Sequence, residues 1–586
     1  MNMYWRFPAS CFVLLFLAFA ANAAVYTVTK TADTSDGTCD ADCSLREAVL
    51  AANATAENDI IIFSSLFASP QTITLSGTEI LFANNGTIEI HGPGANRLTV
   101  SGNNTSRIFR SAAGVNSTIS GMRLTGGNGA STINNNSGGA VLNDAGNMTL
   151  RGLVIANNAT SGSAGGVRNS GTNSIMTVDT CIFANNSSAT SSAGGIQNFS
   201  TSTLTVVNST FTGNTSGGGS VGGGGIQANG SVSVTNSTFS GNTSNATGGG
   251  GAINSNGSFL LLTNVTITRN TSSANGGGLH RGSTTPAGFI RNSIIAGNNG
   301  TAASPDVTNS AGGLVSEGSN IIGIVGTSTG WIASDLQNVN PLLSPLGFHG
   351  GFGMTHLLLA GSPSIDAGQN CVVDRTCTTN NPPVAVLADQ RGAARPAGAT
   401  VDIGAVEASG QYSAVLPSAA ASVPYNFTLV PANNGFTYTI NSGGLGGLAL
   451  SSSTPTTVSG TAPAVGAFNA LVQIVDASGQ AFQNYRVNVL ADPNVVSVSG
   501  QVVDGAGRAV KGARVTFSAF GGSTYSALTN GFGYFRFDGI PAGLSGQLAV
   551  KSKLYSFDPK VLTVSDVVEG VVISPTVPPS GKQFIK

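Results

Sequence analysis

Six charged residues crowd one stretch of the chain: Asp366, Asp389, Arg391, Arg395, Asp402 and Glu407. Paired carboxylates can cleave a glycosidic bond, and carboxylates beside arginines can equally close a fold through ion pairs. No cleft is evident in the surrounding pattern, which favours a salt-bridged closing cap over a catalytic constellation. Other polar candidates are sparser. His280 and Arg281 in LHRG form the one polar pair a polysaccharide lyase would use, but no acid stands nearby in sequence. His280 reads as a rim residue on a loop. His349 and His356 share the segment FHGGFGMTH, and two histidines without a third ligand make no metal site. Between Ile90 and Glu317 the acids are Asp144, Asp179 and Asp306, with no glutamate or lysine. A lyase or glycosidase needs clustered acids, or acidic calcium ligands with a basic partner. No serine-nucleophile motif and no phosphate-cradling loop appears. No catalytic residue, metal or cofactor is expected.

The elements that would position such residues are repeats. Aligned on their last asparagine, six cassettes emerge: LVIANN, CIFANN, STFTGN, STFSGN, VTITRN and SIIAGN. Those asparagines, Asn158, Asn186, Asn214, Asn242, Asn270 and Asn298, lie 28 residues apart. Three positions before them stand Ile155, Phe183, Phe211, Phe239, Ile267 and Ile295. Between cassettes runs a second signature, GGAV, GGV, GGI, GGI, GGAI and GGGL. A period of this length marks a solenoid. Glycine, asparagine and β-branched residues disfavour helix, and runs such as SVSVTNSTF alternate with period two. The fold class is therefore all-β: a right-handed parallel β-helix of about 28 residues per coil, followed by two β-sandwich domains. In it the apolar residues stack inside, the asparagines form a hydrogen-bonded ladder in a turn, and the glycines permit the turn. On that spacing Asp144 and Asp179, 35 apart, do not face one bond.

Charged residues make up 9% of the chain, against roughly 25% in ordinary globular proteins. With a net charge of −1 the chain offers no nucleic acid an electrostatic footprint. Arg6, the apolar run Cys11–Ala21 and Ala21-Asn22-Ala23 read as a secretory signal peptide over residues 1–23. No later stretch suits a membrane span. Cys39 with Cys43, and Cys371 with Cys377, are close enough to close disulfide loops in an oxidising compartment; Cys181 is left over.

Residues 24–70 read as an N-terminal cap around CSLREAVLAAN. Ser44 and Glu47 have capping-box spacing, and Leu45, Ala48, Val49 and Ala52 form one apolar helical face. The β-helix follows over 71–345, and a C-terminal cap over 346–409. Alternating segments over 410–491 and 496–575, broken by turns, read as sandwiches, with a tail over 576–586.

Several of these segments resemble known families. CSLREA is similar to the N-terminal signature of a family of secreted bacterial repeat proteins, which implies bacterial origin. SPSIDAG, DQRG and VDIGAVE resemble the choice-of-anchor Q region, which follows a β-helix and precedes a surface anchor. GGAV (Gly138 to Val141) and FANN (Phe183 to Asn186) resemble the repeats of polymorphic outer membrane proteins, a family of surface adhesins. The run LALSSSTPTTVSGTAPAVG resembles bacterial Ig-like domains. VSGQVVDGAGRAVKGARVTF with TNGFGYFRFDGIPAG resembles the carboxypeptidase regulatory-like domain, a non-catalytic sandwich. These resemblances imply an exported bacterial surface or secreted protein with a non-catalytic role, either adhesion to an extracellular polysaccharide or a host or cell-surface protein, or an extracellular structural role. A polysaccharide lyase or glycoside hydrolase is the alternative. Asn208, Asn236 and Asn264 sit in Asn-x-Ser/Thr triplets and are read as unglycosylated by-products of the repeat.

Overall fold

The computed structural model describes residues 24–575 apart from 409–412 and short internal stretches, the longest being 429–436. The expected signal segment and tail lie outside the described residues. From Val25 to Gln337 the chain winds as a parallel β-solenoid of about nine turns. One face is a nine-stranded parallel sheet running from Ile80–Phe82 to Val307–Asn309, and a twenty-stranded sheet bends once per coil. Two-residue strands form smaller sheets of five, from Ala159–Thr160 to Thr271–Ser272, and three, from Ser192–Ala193 to Gly249–Gly250.

The bend explains much of the sequence. It needs a left-handed residue, and Gly152, Thr180, Asn208, Asn236, Asn264, Asn292 and Ser319 occupy it in turn, with φ between 46° and 58°. Asparagine tolerates this region because its short polar side chain bonds locally. The triplets at Asn208, Asn236 and Asn264 arise here: asparagine makes the bend, and the third residue, Thr210, Thr238 or Thr266, lies on the extended run beyond it.

Stacking fills the interior. Ile155, Phe183, Phe211, Phe239, Ile267 and Ile295 are in register on successive coils and fully buried. The rings of Phe183, Phe211 and Phe239 are parallel within 5°, with centroids 4.6 Å apart. Val141, Val167, Ile196, Ile226, Ile253 and Leu279 form the facing row, each 0% exposed. The turn beside that row lies directly on the strand: a Cβ on Gly223 would sit 1.9 Å from the Ile226 carbonyl oxygen, so only glycine fits.

The N-terminal end is plugged by the helix Leu45–Asn53, whose Ser44 and Glu47 make a reciprocal capping box. Leu45, Ala48, Val49 and Ala52 are buried against the first coils. Trp331 and Val325 pack against the shaft core beyond its last full coil. Beyond the shaft stand two modules of paired sheets. In the first, sheets containing Thr437–Gly443 and Thr457–Thr461 share a core of Tyr438, Val458, Val472 and Tyr485. In the second, Val498, Val515, Phe517, Phe537 and Ile573 join a three-stranded and a four-stranded sheet.

Residues 346–409 pack on the last coils through Ile403, Leu358 and Ala367 and extend back along the side of the shaft as a strap. Thr210 Oγ1 donates to the Met354 carbonyl at 2.7 Å, Thr238 Oγ1 to Gln390 Oε1 at 2.6 Å, and Thr266 Oγ1 accepts from Ala405 N at 2.9 Å. Asn236 Nδ2 donates to Ala388 O at 2.7 Å. Further along, Leu346 and Met354 join Ala156, Ile182 and Ala184 of the shaft and the first sandwich in one apolar cluster.

Candidate functional site

Two buried polar systems dominate the molecule. The first is the asparagine row. Nδ2 of Asn158, Asn186, Asn214, Asn242 and Asn270 each donates to Oδ1 of the next asparagine at 2.8–2.9 Å. The backbone N–H of each donates to that same oxygen. Nδ2 also reaches back to a carbonyl of the previous coil, as Asn214 does to Phe183 O at 2.9 Å. All bonds point one way, so the row needs an acceptor at its end. Asp306 supplies it: Oδ1 accepts from Asn298 N at 2.8 Å and Nδ2 at 2.9 Å, and Oδ2 accepts from Ile324 N at 2.7 Å. Burial pushes this carboxyl above its ordinary range.

A second row was not anticipated. Cys181 N donates to Ser209 Oγ, Ser209 N to Ser237 Oγ, Val265 N to Ser293 Oγ and Ser293 N to Asn320 Oδ1. It too ends on an aspartate, for Asn320 N and Nδ2 both donate to Asp335 Oδ1. Its signal in the sequence is the serine one place after the bend asparagine.

The second system is the charged knot of the strap. Arg391 Nε and Nη2 reach Asp389 Oδ2 at 2.9 and 2.7 Å, and Nη2 also donates to Glu407 O. Arg395 pairs with Glu407 and donates to the carbonyls of Asp402 and Gly404. Glu407 accepts further from Ala397 N and Asp402 N, both at 2.9 Å. Asp402 accepts from Asp366 N at 2.6 Å. Asp389, Arg391, Arg395, Asp402 and Glu407 are at most 5% exposed; Asp366 is exposed and accepts from Thr400 N. Burial raises the carboxyls of Asp402 and Glu407 against the pull of Arg395, and lowers the guanidinium. The five buried members are closed off from solvent, and their carboxylates are engaged by backbone N–H groups and by the two arginines.

The remaining candidates are dispersed. His280 is not on a loop: it lies on the strand Leu279–Arg281, half-buried, because its coil continues the nine-stranded sheet there. Arg281 is buried and donates to Ser255 Oγ and Gly257 O. His356 bridges Ser344 O and Ser240 Oγ, fastening the strap. Buried beside Arg391, His349 has its pKa pushed down to about 3, mainly by desolvation. Asp144 faces Arg110 and Asp179 pairs with Arg151, on different sheets. Among the described residues no three histidine, cysteine or acidic side chains gather as a metal site. Disulfides join Cys39 to Cys43 and Cys371 to Cys377. Cys181 is free and buried, its thiol pushed up to about 12. No helix among the described residues is long and apolar enough to cross a membrane.

A family model for the carboxypeptidase regulatory-like domain matches residues 497–571. The C-terminal module is a carboxypeptidase regulatory-like domain. In this domain the strand Val495–Val502 pairs with both Tyr534–Pro541 and Val568–Ile573. No curated protein matches the chain. Among solved structures, similarity extends to the endo-fucoidan hydrolases MfFcnA4 and MfFcnA9 of glycoside hydrolase family 107. Identities are 15% and 16%, both TM-scores are 0.13, and the matches cover 27% and 28% of this chain. They cover 28% and 33% of those enzymes, so the chain spans a third or less of either.

Proposed function

We propose that this is an exported bacterial surface protein whose β-helical shaft and sandwich modules bind an extracellular carbohydrate or cell-surface partner without catalysis. One observation supports the reading above others: the acids are already engaged. Along the shaft Glu79 is paired with Arg107 and Arg110, Glu89 with His91, Asp144 with Arg110, Asp179 with Arg151 and Glu317 with Arg291. Asp306 and Asp335 accept from the ladder ends. A glycosidase needs two carboxylates free to face one bond, and a lyase needs a base beside an acidic cation site. Export accords with the N-terminal segment and with two disulfides, which persist in oxidising compartments.

The test incubates the mature chain, beginning at Ala24, with acidic and neutral polysaccharides, with and without calcium. Reducing ends and unsaturated uronates are followed beside retention of the protein on each polymer. Retention without product supports the reading. Product release that Asp389→Ala or Arg281→Ala abolishes would replace it with an enzyme.

A further inference from the structure

The shaft carries two parallel rows of hydroxyl side chains, and they have different fates. Thr210, Thr238 and Thr266 are buried, and each is bonded to the strap that lies across them. Around the bend, a longer row faces outward on the wide sheet. Thr118, Thr149, Thr177, Thr205 and Ser233 are in register on five successive coils. All five stand half-exposed, and their hydroxyls are left to solvent among the described residues. The row continues without a break into Leu261, Phe289 and Val315. Phe259 stands beside it, its ring 6.0 Å from that of Phe289 and tilted by 41°; both rings are half-exposed.

We propose that this open face is the binding site for a neutral polysaccharide lying along the shaft axis, a proposal that rests on the non-catalytic reading above. Three features select that occupant. The strap shows that a hydroxyl row of this shaft takes polar partners, since Met354, Gln390 and Ala405 already bond one. The open face itself is uncharged where it is widest: Thr203, Thr205, Val207, Ser231, Ser233 and Thr235 carry no charge. Arg151 and Asp179 at its margin pair at 3.1 Å, with Lys560 of the C-terminal domain within electrostatic reach of both. Away from that margin the surface offers no fixed charge to a polyanion and no penalty to a neutral polymer. Finally, hydroxyls that both donate and accept, followed by two rings, match a sugar chain with hydroxyl edges and apolar faces. Strand spacing of about 4.8 Å presents one hydroxyl per coil, close to the length of one sugar unit.

The experiment uses the full mature chain and its triple variant Thr149→Val, Thr177→Val, Thr205→Val. Valine keeps the shape and the strand preference, so thermal unfolding should be unchanged. Retention is measured on microcrystalline cellulose, chitin and mannan, with alginate as the anionic control. The expected result is retention on a neutral polymer that weakens at least about tenfold in the triple variant, with a smaller loss in Phe289→Ala. Equal retention of wild type and triple variant would overturn the site while leaving the binding reading intact. Retention on alginate alone would overturn the neutral ligand. Capture by gelatin that the triple variant loses would replace the glycan by an extended peptide. Product release from any polymer would remove the non-catalytic reading itself.

Discussion

Along the inner turn of the shaft, buried polarity is neutral and repeated; in the strap it is charged and occurs once. The asparagine row spreads its cost over six equivalent positions, each satisfying the one before it. The knot concentrates Asp389, Arg391, Arg395, Asp402 and Glu407 in one dry volume, where each charge depends on a particular partner. Uncharged amides need only hydrogen bonds on burial, whereas a buried ion left alone is far more costly. Repetition therefore suits the ladder and would be hazardous for the knot. A single keystone suits a segment that must dock in one place.

Four measurements sharpen this contrast. The largest effect is expected from Arg395→Met, which leaves Glu407 buried without its cation. The loss should be about 3–5 kcal/mol, seen as strap residues becoming labile to protease before the shaft unfolds. If strap and shaft unfold together, the knot is not a separate keystone. Asn214→Ala should cost about 2–3 kcal/mol, because Asn186 loses the acceptor for both its N–H and its Nδ2. An equal loss from the matching change at Asn242 would verify that ladder positions are equivalent.

The third prediction concerns acid. His349 has a folded pKa of about 3 against an ordinary 6.5, so the folded form refuses a proton that the unfolded form accepts. Its contribution is complete above pH 6.5 and is lost progressively as pH falls towards 3. At pH 5 the deficit is about 2 kcal/mol, and His349→Gln should flatten that part of the stability curve. Glu407, Asp402 and Asp306 have raised pKa values, and so act in the opposite sense. They favour the folded state most below the ordinary carboxyl range and lose that advantage as pH rises through their folded values. The smallest effect is Asp306→Asn, at about 1 kcal/mol. An amide turned to accept from Asn298 points its NH₂ at Ile324 N–H, and the loss should appear as faster hydrogen exchange confined to the last coils.

Why the shaft was legible and the strap was not follows from how each is specified. Asn158 to Asn298 announce themselves through period, since every coil states the same requirement again. Phe183, Phe211 and Phe239 need no partner beyond their own copies. The strap's contacts are made once, between residues such as Gln390 and Thr210, 180 apart in the chain. Periodicity carries no information about such a pairing. The sequence marks the charge cluster but not the surface it rests on. Asp306 lies only eight residues after Asn298, so it falls out of register with the ladder it terminates. Its one legible sign is an isolated acid just beyond the last cassette.

The strap also sets a length. It reaches from the last coils, where Gln369 bonds Asn292 and Glu317, back to the cluster containing Ala156 and Ile182. A coil duplicated within that span would shift every anchor by one step and leave Gln390, Ala388 and Ala405 opposite the wrong threonine or asparagine. A coil duplicated before Val154 would shift none of them. Growth of the protein by gain of repeats is thus confined to its N-terminal half, while the distance between strap anchors is held constant like a gauge block.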